Sequence, residues 1–170
     1  MKKTIIIIAA LLGFALAATA QPKAIGLRSG LLNYEVSYEH YLDNPHFFEF
    51  DLGMSYSTSS GKILGAGFDL TATYNWVFAQ PDWTPQGTWA FYAGPGVALG
   101  SYYYTKRNDD GTSIDKSSMY LGIVGQVGLE YTFWFPLQLS VDIRPSLHFG
   151  ANGANLNFPY IPCFSARYHF

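Results

Sequence analysis

Cys163-Phe164-Ser165-Ala166-Arg167-Tyr168-His169-Phe170 closes the chain, and its alternation decides the fold. Successive side chains of an extended strand point to opposite faces. Phe164, Ala166, Tyr168 and Phe170 therefore share one face, and Ser165, Arg167 and His169 share the other. The same two-residue period recurs upstream, punctuated by Gly, Pro, Asn and Asp. It predicts eight strands, at 24–30, 34–42, 47–56, 66–78, 88–103, 120–133, 137–149 and 163–170. Most match or exceed the roughly 9–11 residues that a tilted strand needs to cross a bilayer.

The other end of the chain reads as an export signal. Lys2 and Lys3 precede an apolar run from Thr4 to Ala18, and Ala18-Thr19-Ala20 offers a small-residue cleavage pattern. Residues 1–20 are expected to be a cleaved signal peptide, with residues 21–170 forming one barrel domain. The apolar run is shorter than the ~20 residues of a membrane-spanning helix, and no later segment reaches that length. A helical membrane protein is excluded on that count.

The composition departs from that of a soluble domain. Only 13% of residues are charged and 18% are aromatic, against an average of about 25% charged in soluble proteins. Loss of Lys2 and Lys3 with the signal takes the formal charge from −2 to −4, so no basic field invites nucleic acid. The one cysteine, Cys163, cannot form an internal disulfide. No zinc spacing, phosphate loop or dinucleotide fingerprint is present, and Gly94-Pro95-Gly96 has no helix after it to make one. No cofactor is expected.

The two strand faces differ in kind. One carries residues such as Leu27, Val36, Phe50, Leu52, Leu70, Trp76, Val97, Leu121, Ile123, Val141 and Phe164. The other carries Arg28, Glu35, Glu39, Glu49, Asp51, Asp69, Glu130, Asp142, Arg144 and Arg167. The ten remaining charges of the mature chain are expected in turns, loops or the N-terminal tail, Lys23 among them, and none falls on the apolar face. A soluble sandwich or lipocalin would turn its apolar face inward. Here that face is aromatic at the strand ends, as at a membrane interface. The polar face mixes its charges with Gly94, Gly96, Gly100, Gly122 and Gly128, which suits a narrow interior. The fold expected is an all-β, eight-stranded antiparallel transmembrane barrel in an up-and-down meander. Pro95, in mid-strand, predicts a bulge, because a closed barrel has no free edge for its missing N–H.

In strand count, export signal and terminal aromatic strand the chain resembles small outer-membrane barrels of the OmpA/OmpX-like class. The resemblance makes Phe164, Ala166, Tyr168 and Phe170 the assembly signal. It implies insertion by the barrel-assembly machinery, contact with outer-membrane lipid and lipopolysaccharide, and both termini in the periplasm. Turns 43–46, 79–87 and 134–136 would then be periplasmic, and loops 31–33, 57–65, 104–119 and 150–162 external. Functions in this class range from adhesion to envelope maintenance, so fold does not fix function.

Ten charged side chains in one narrow lumen are expected to pair, because a buried charge is tolerated only with a partner. That predicts a plugged, non-conducting monomer rather than a pore lined by surplus carboxylate. The competing class is an enzyme acting on lipid A, for which Asp142, Ser146 and His148 are the best candidates. Residues two apart on a strand lie about 6.6 Å apart, too far for a direct nucleophile–base hydrogen bond, so no catalytic residue is assigned. Glu49 and Asp51 lack the further ligands of a metal site. Cys163 is read as an inert small residue.

The segment from Ser101 to Tyr120 holds Tyr102, Tyr103 and Tyr104, then the turn dipeptide Asp110-Gly111. It is expected to extend strands five and six beyond the membrane as a hairpin, with Tyr102, Tyr103, Tyr104, Asp110, Gly111 and Tyr120 as a candidate surface for an extracellular protein partner. Edges of such a hairpin can accept an added strand.

Overall fold

The computed structural model describes residues 23–43, 45–59, 62–107, 111–150, 153–157 and 162–170. The segment 1–20, expected to be a signal peptide, and Asp110 lie outside the described residues. The strands are β1 (Lys23–Ser29), β2 (Asn33–Asp43), β3 (His46–Ser59), β4 (Lys62–Ala79), β5 (Thr88–Arg107) and β6 (Ser113–Thr132). After them come β7 (Gln138–Ile143), β8 (Ser146–Gly150), β9 (Gly153–Asn157) and β10 (Cys163–His169).

These ten segments make eight staves. β7 and β8 both pair with β6 in one continuous register, from Thr132↔Gln138 to Tyr120↔Gly150, and so form a single seventh stave. β9 pairs with β8, and β10 pairs with β7 and β1, so these two together form the eighth. Every pairing is antiparallel, and β1–β10 and β5–β6 close the ring. Lys23 and Phe170 seal the seam with two backbone bonds of 2.8 Å.

Several boundaries differ from those expected. Most of the segment 57–65 is strand, since β3 runs to Ser59 and β4 starts at Lys62. Part of the expected loop 150–162 is strand β9. Lys23 is no tail residue: it opens β1 and is buried.

Pro95 makes no bulge. The β5–β6 register passes through Pro95↔Gly125 unbroken, and the β4–β5 register is the same on either side of it. Gly125 sends its N–H to Pro145 on the opposite side, so Pro95 turns its nitrogen toward β4. The pairing of β4 with β5 lapses only at Tyr74 and Asn75, and the register shift of that ladder comes later, between Val77 and Ala79. Sequence alone could not tell which neighbour would lose the bond. Pro145 interrupts its own stave in the same way, separating β7 from β8.

The barrel is inverted relative to a soluble protein. Leu27, Leu121 and Phe164 are more than 60% exposed on the outer wall, while Glu39 and Glu49 are 0% exposed inside. Contiguous apolar surface of this extent marks a wall that meets hydrocarbon. Inside, large and small residues fit one another. A Cβ on Gly128 would collide with the Tyr92 ring, and one on Gly100 would lie 2.6 Å from the Tyr120 hydroxyl.

The turn at 79–87 owes its length to packing on the outer wall. Trp83 lies 5.4 Å from Trp89 and 5.6 Å from Phe91, centroid to centroid. Trp89 Nε1 donates to Thr84 Oγ1 at 3.2 Å, and the Tyr131 hydroxyl donates to the Gln86 carbonyl at 2.7 Å. Aromatic side chains with one polar tip suit a membrane interface.

Candidate functional site

Three arginines organise the lumen, each inward-facing because it falls on the polar phase of its stave. Arg28, on β1, grips Asp142 of β7 with two bonds, Nη2 at 2.5 Å and Nε at 3.1 Å, and reaches Glu35 of β2 at 2.6 Å. Arg144, beside the Pro145 break, donates to Asp51 at 2.6 Å and Glu49 at 3.2 Å, both on β3. Arg167, on β10, meets Glu39 at 2.8 Å and Glu49 at 2.7 Å. It also donates to Ser37 at 2.9 Å and to Ser140 at 2.8 Å.

Neutral side chains complete the network. Gln126 Nε2 donates to Glu49 at 2.8 Å, and Gln138 Nε2 donates to Glu39 at 2.6 Å. The Tyr41 hydroxyl donates to Glu130 at 2.7 Å, which brings in a carboxylate with no arginine of its own among the described ion pairs. Thr73 Oγ1 donates to Gln126 at 2.7 Å and ties β4 to the rest. Sequence reasoning missed Tyr41, Gln126 and Gln138 by weighing charge alone. Their signal was phase: Gln126 shares a face with Glu130, and Gln138 shares one with Asp142.

Of the ten predicted lumenal charges, nine join this network and Asp69 does not. Asp69 accepts a bond from Thr71 at 2.8 Å and another from the Tyr120 hydroxyl. Tyr120 in turn stacks on His148, with ring centroids 4.0 Å apart. Asp142, Ser146 and His148 are therefore not brought together as a catalytic set: Asp142 is engaged by Arg28, and His148 by Tyr120. Glu49 and Asp51 are partnered by Arg144, and no cluster of three or more metal-ligating side chains occurs among the described residues. Cys163 is buried beside Asn33, its Sγ 3.7 Å from the Asn33 Oδ1.

At the far end, β5 and β6 stay paired in one register out to Arg107↔Ser113. Their ladders to the neighbouring strands end lower, that to β4 at Asp69↔Gly100 and that to β8 at Tyr120↔Gly150, although β4 itself runs on to Lys62 paired with β3. Thr105 Oγ1 donates to Asp115 at 2.8 Å across the hairpin. Gly111 takes a φ of 84° at the turn, where glycine is favoured. The tyrosines do not form one surface. Tyr102 and Tyr104 adjoin each other at 5.9 Å, and Tyr103 packs over Gly65 on the opposite face. Tyr120 is buried in the barrel and is not part of the exposed hairpin. Of the assembly residues, Phe164, Tyr168 and Phe170 are exposed on the outer wall, and Ala166 shares their face.

No protein-family model and no curated protein matches the sequence. Among solved structures, the chain is similar to the N-terminal β-barrel domain of Pseudomonas aeruginosa OprF. The TM-score is 0.52 at 14% identity, over 88% of this chain and 96% of that one. A major outer membrane protein from Thermus thermophilus aligns at a TM-score of 0.49 and 13% identity, over 89% of this chain and 100% of that one. The fold shared with the OprF domain is a closed antiparallel β-barrel, here of eight staves.

Proposed function

We propose that the chain is a non-conducting, surface-exposed barrel of the bacterial outer membrane, monomeric and without catalytic activity, which binds or adheres through its outer hairpin. On this reading it is inserted by the barrel-assembly machinery, sits among outer-membrane lipid and lipopolysaccharide, and keeps both termini in the periplasm. The observation that carries it is the contrast between the lumen and the hairpin. Seven ion pairs among the described residues fill the lumen, every arginine and carboxylate in them at least nine-tenths buried by side chain. The β5–β6 hairpin meanwhile runs past the ladders of both neighbours. An eight-stave interior is just wide enough for side chains to fill.

Two measurements test the reading. Purified, refolded protein in planar bilayers should give no stepwise currents; defined currents that persist after contaminating porins are removed would refute the non-conducting part. Deleting residues 106–116 should leave folding intact and abolish adhesion of expressing cells to surfaces and host proteins. Unchanged adhesion would refute the binding part, and a purely structural role in the envelope would replace it.

A further inference from the structure

We infer that the lumen binds a proton at Glu130, taken up from water when the barrel folds at neutral pH and shared with Gln138. Among the described ion pairs, three guanidiniums serve Glu35, Glu39, Glu49, Asp51 and Asp142, and none serves Glu130. Glu130 is nevertheless only 3% exposed. A buried carboxylate without a cation is neutralised most cheaply by binding a proton.

The surroundings of Glu130 supply too few donors. On its own strand, Thr132 lies 3.4 Å from Oε1. From β2, the Tyr41 hydroxyl donates to the same Oε1 at 2.7 Å and stands 3.4 Å from Glu39 Oε2. One hydroxyl proton cannot serve two carboxylates, and the shorter distance gives it to Glu130. Glu39 is held by Arg167 of β10 and Gln138 of β7, and Arg167 also holds Glu49 of β3. On β5, Ala90 is opposite Glu130 and Tyr92 is diagonal to it, with a hydroxyl that has no partner. His169, in phase with Arg167, meets the Tyr41 ring edge-on at 6.3 Å and joins no described ion pair. Lys23 falls on the opposite phase of β1 from Arg28.

Two acceptors are left over. Glu130 Oε2 and Gln138 Oε1 are both buried without a hydrogen-bond partner among the described residues. The pairs Glu130↔Ser140 and Thr132↔Gln138 set the two long side chains diagonally on neighbouring staves, within reach of each other. Two acceptors cannot bond without a proton between them. A proton on Glu130 Oε2 supplies the missing donor, Gln138 Oε1 receives it, and the formal charge of Glu130 is removed. A metal ion at the same place would need several more oxygen ligands and would be repelled by Arg167.

The test uses full-length protein refolded in phospholipid vesicles. Infrared spectra at mildly alkaline pH, well above the ordinary glutamate value of about 4.3, should show a protonated-carboxyl C=O band. Glu130→Gln should remove that band and still fold, because its amide keeps the bond from Tyr41 and offers an N–H to Gln138. Glu39→Gln should leave the band in place, and Gln138→Met should move it to higher frequency by taking away the acceptor. Folding in weakly buffered solution at neutral pH should take up one proton more in the wild type than in Glu130→Gln. Stability follows with a fixed sign. The folded barrel holds a proton that the unfolded chain releases, so the wild-type urea midpoint should fall relative to that of Glu130→Gln as pH rises from about 5 to about 8. Absence of the band in the wild type, or its survival in Glu130→Gln, would overturn the proposal. So would proton uptake unchanged by that substitution. A wild-type stability that depends on sodium or calcium at constant ionic strength, and not on proton uptake, would put a bound cation in the proton's place and also refute it. If Glu130→Gln fails to fold, the wild-type band and its shift in Gln138→Met decide the question.

Discussion

Replacing Arg167 with methionine should be among the most damaging single changes in the lumen, and more damaging than removing the carboxylate it holds. Among the described ion pairs Arg167 is the sole arginine on Glu39, whereas Glu49 keeps Arg144 at 3.2 Å. The substitution strands one buried carboxylate, which costs about 3–5 kcal/mol when the partner of a buried pair is removed. Loss of the bonds to Ser37 and Ser140 adds to this. Glu39→Gln behaves differently. The network holds six carboxylates (Glu35, Glu39, Glu49, Asp51, Glu130, Asp142) against three guanidiniums, and Arg167 still has Glu49 after the change. Its expected cost is about 1.5 kcal/mol or less. Combined with Arg167→Met, it should recover part of the loss by removing the stranded charge. Urea titrations of folding into phospholipid vesicles, followed by tryptophan fluorescence, would measure all three variants. If Arg167→Met costs no more than Glu39→Gln, the argument from charge imbalance is wrong.

Leu52→Arg and Leu70→Arg, on the outer wall, should each cost about 2–4 kcal/mol near the bilayer midplane, while Ile114→Arg on the exposed hairpin should cost almost nothing; the same titrations distinguish them. Gly128→Val should push Tyr92 from its place and cost about 1–3 kcal/mol, read as a lower urea midpoint with the transition slope unchanged. Deleting Phe170 removes both backbone bonds to Lys23 and should sharply reduce the heat-modifiable, folded species in outer-membrane fractions; normal levels would contradict the importance of the seam.

The architecture was legible in the sequence because its signal is periodic. The alternation from Phe164 to Phe170 places Arg167 inside and Tyr168 outside, and the structure has them so. Parity also put Glu39, Glu49 and Asp142 in one lumen. What parity could not supply was height along the barrel axis. Asp69 has the same phase as its fellow acids, yet it sits with Tyr120 and His148, apart from the arginines. Tyr120 was grouped with the hairpin for the same reason: a position along the chain does not say how far up the barrel it stands. The lapse at Pro95 was equally hidden, since which ladder loses a bond depends on the partner across it.

The seam between β1 and β10 joins the first and last described strands, with Lys23 bonded to Phe170. Hairpin ladders such as β2–β3 and β5–β6 link neighbours in the chain and can form locally, while this one spans all of the described sequence from Lys23 to Phe170. Its loop-closure entropy must be met in a single step. A circular permutant that joins Phe170 to Lys23 through a short linker and opens the chain at the β5–β6 turn would make the seam local and shift the longest-range closure to a different pair of staves. The order in which staves meet would change while every lumenal ion pair stayed the same, which would separate the route of assembly from the stability of the finished wall.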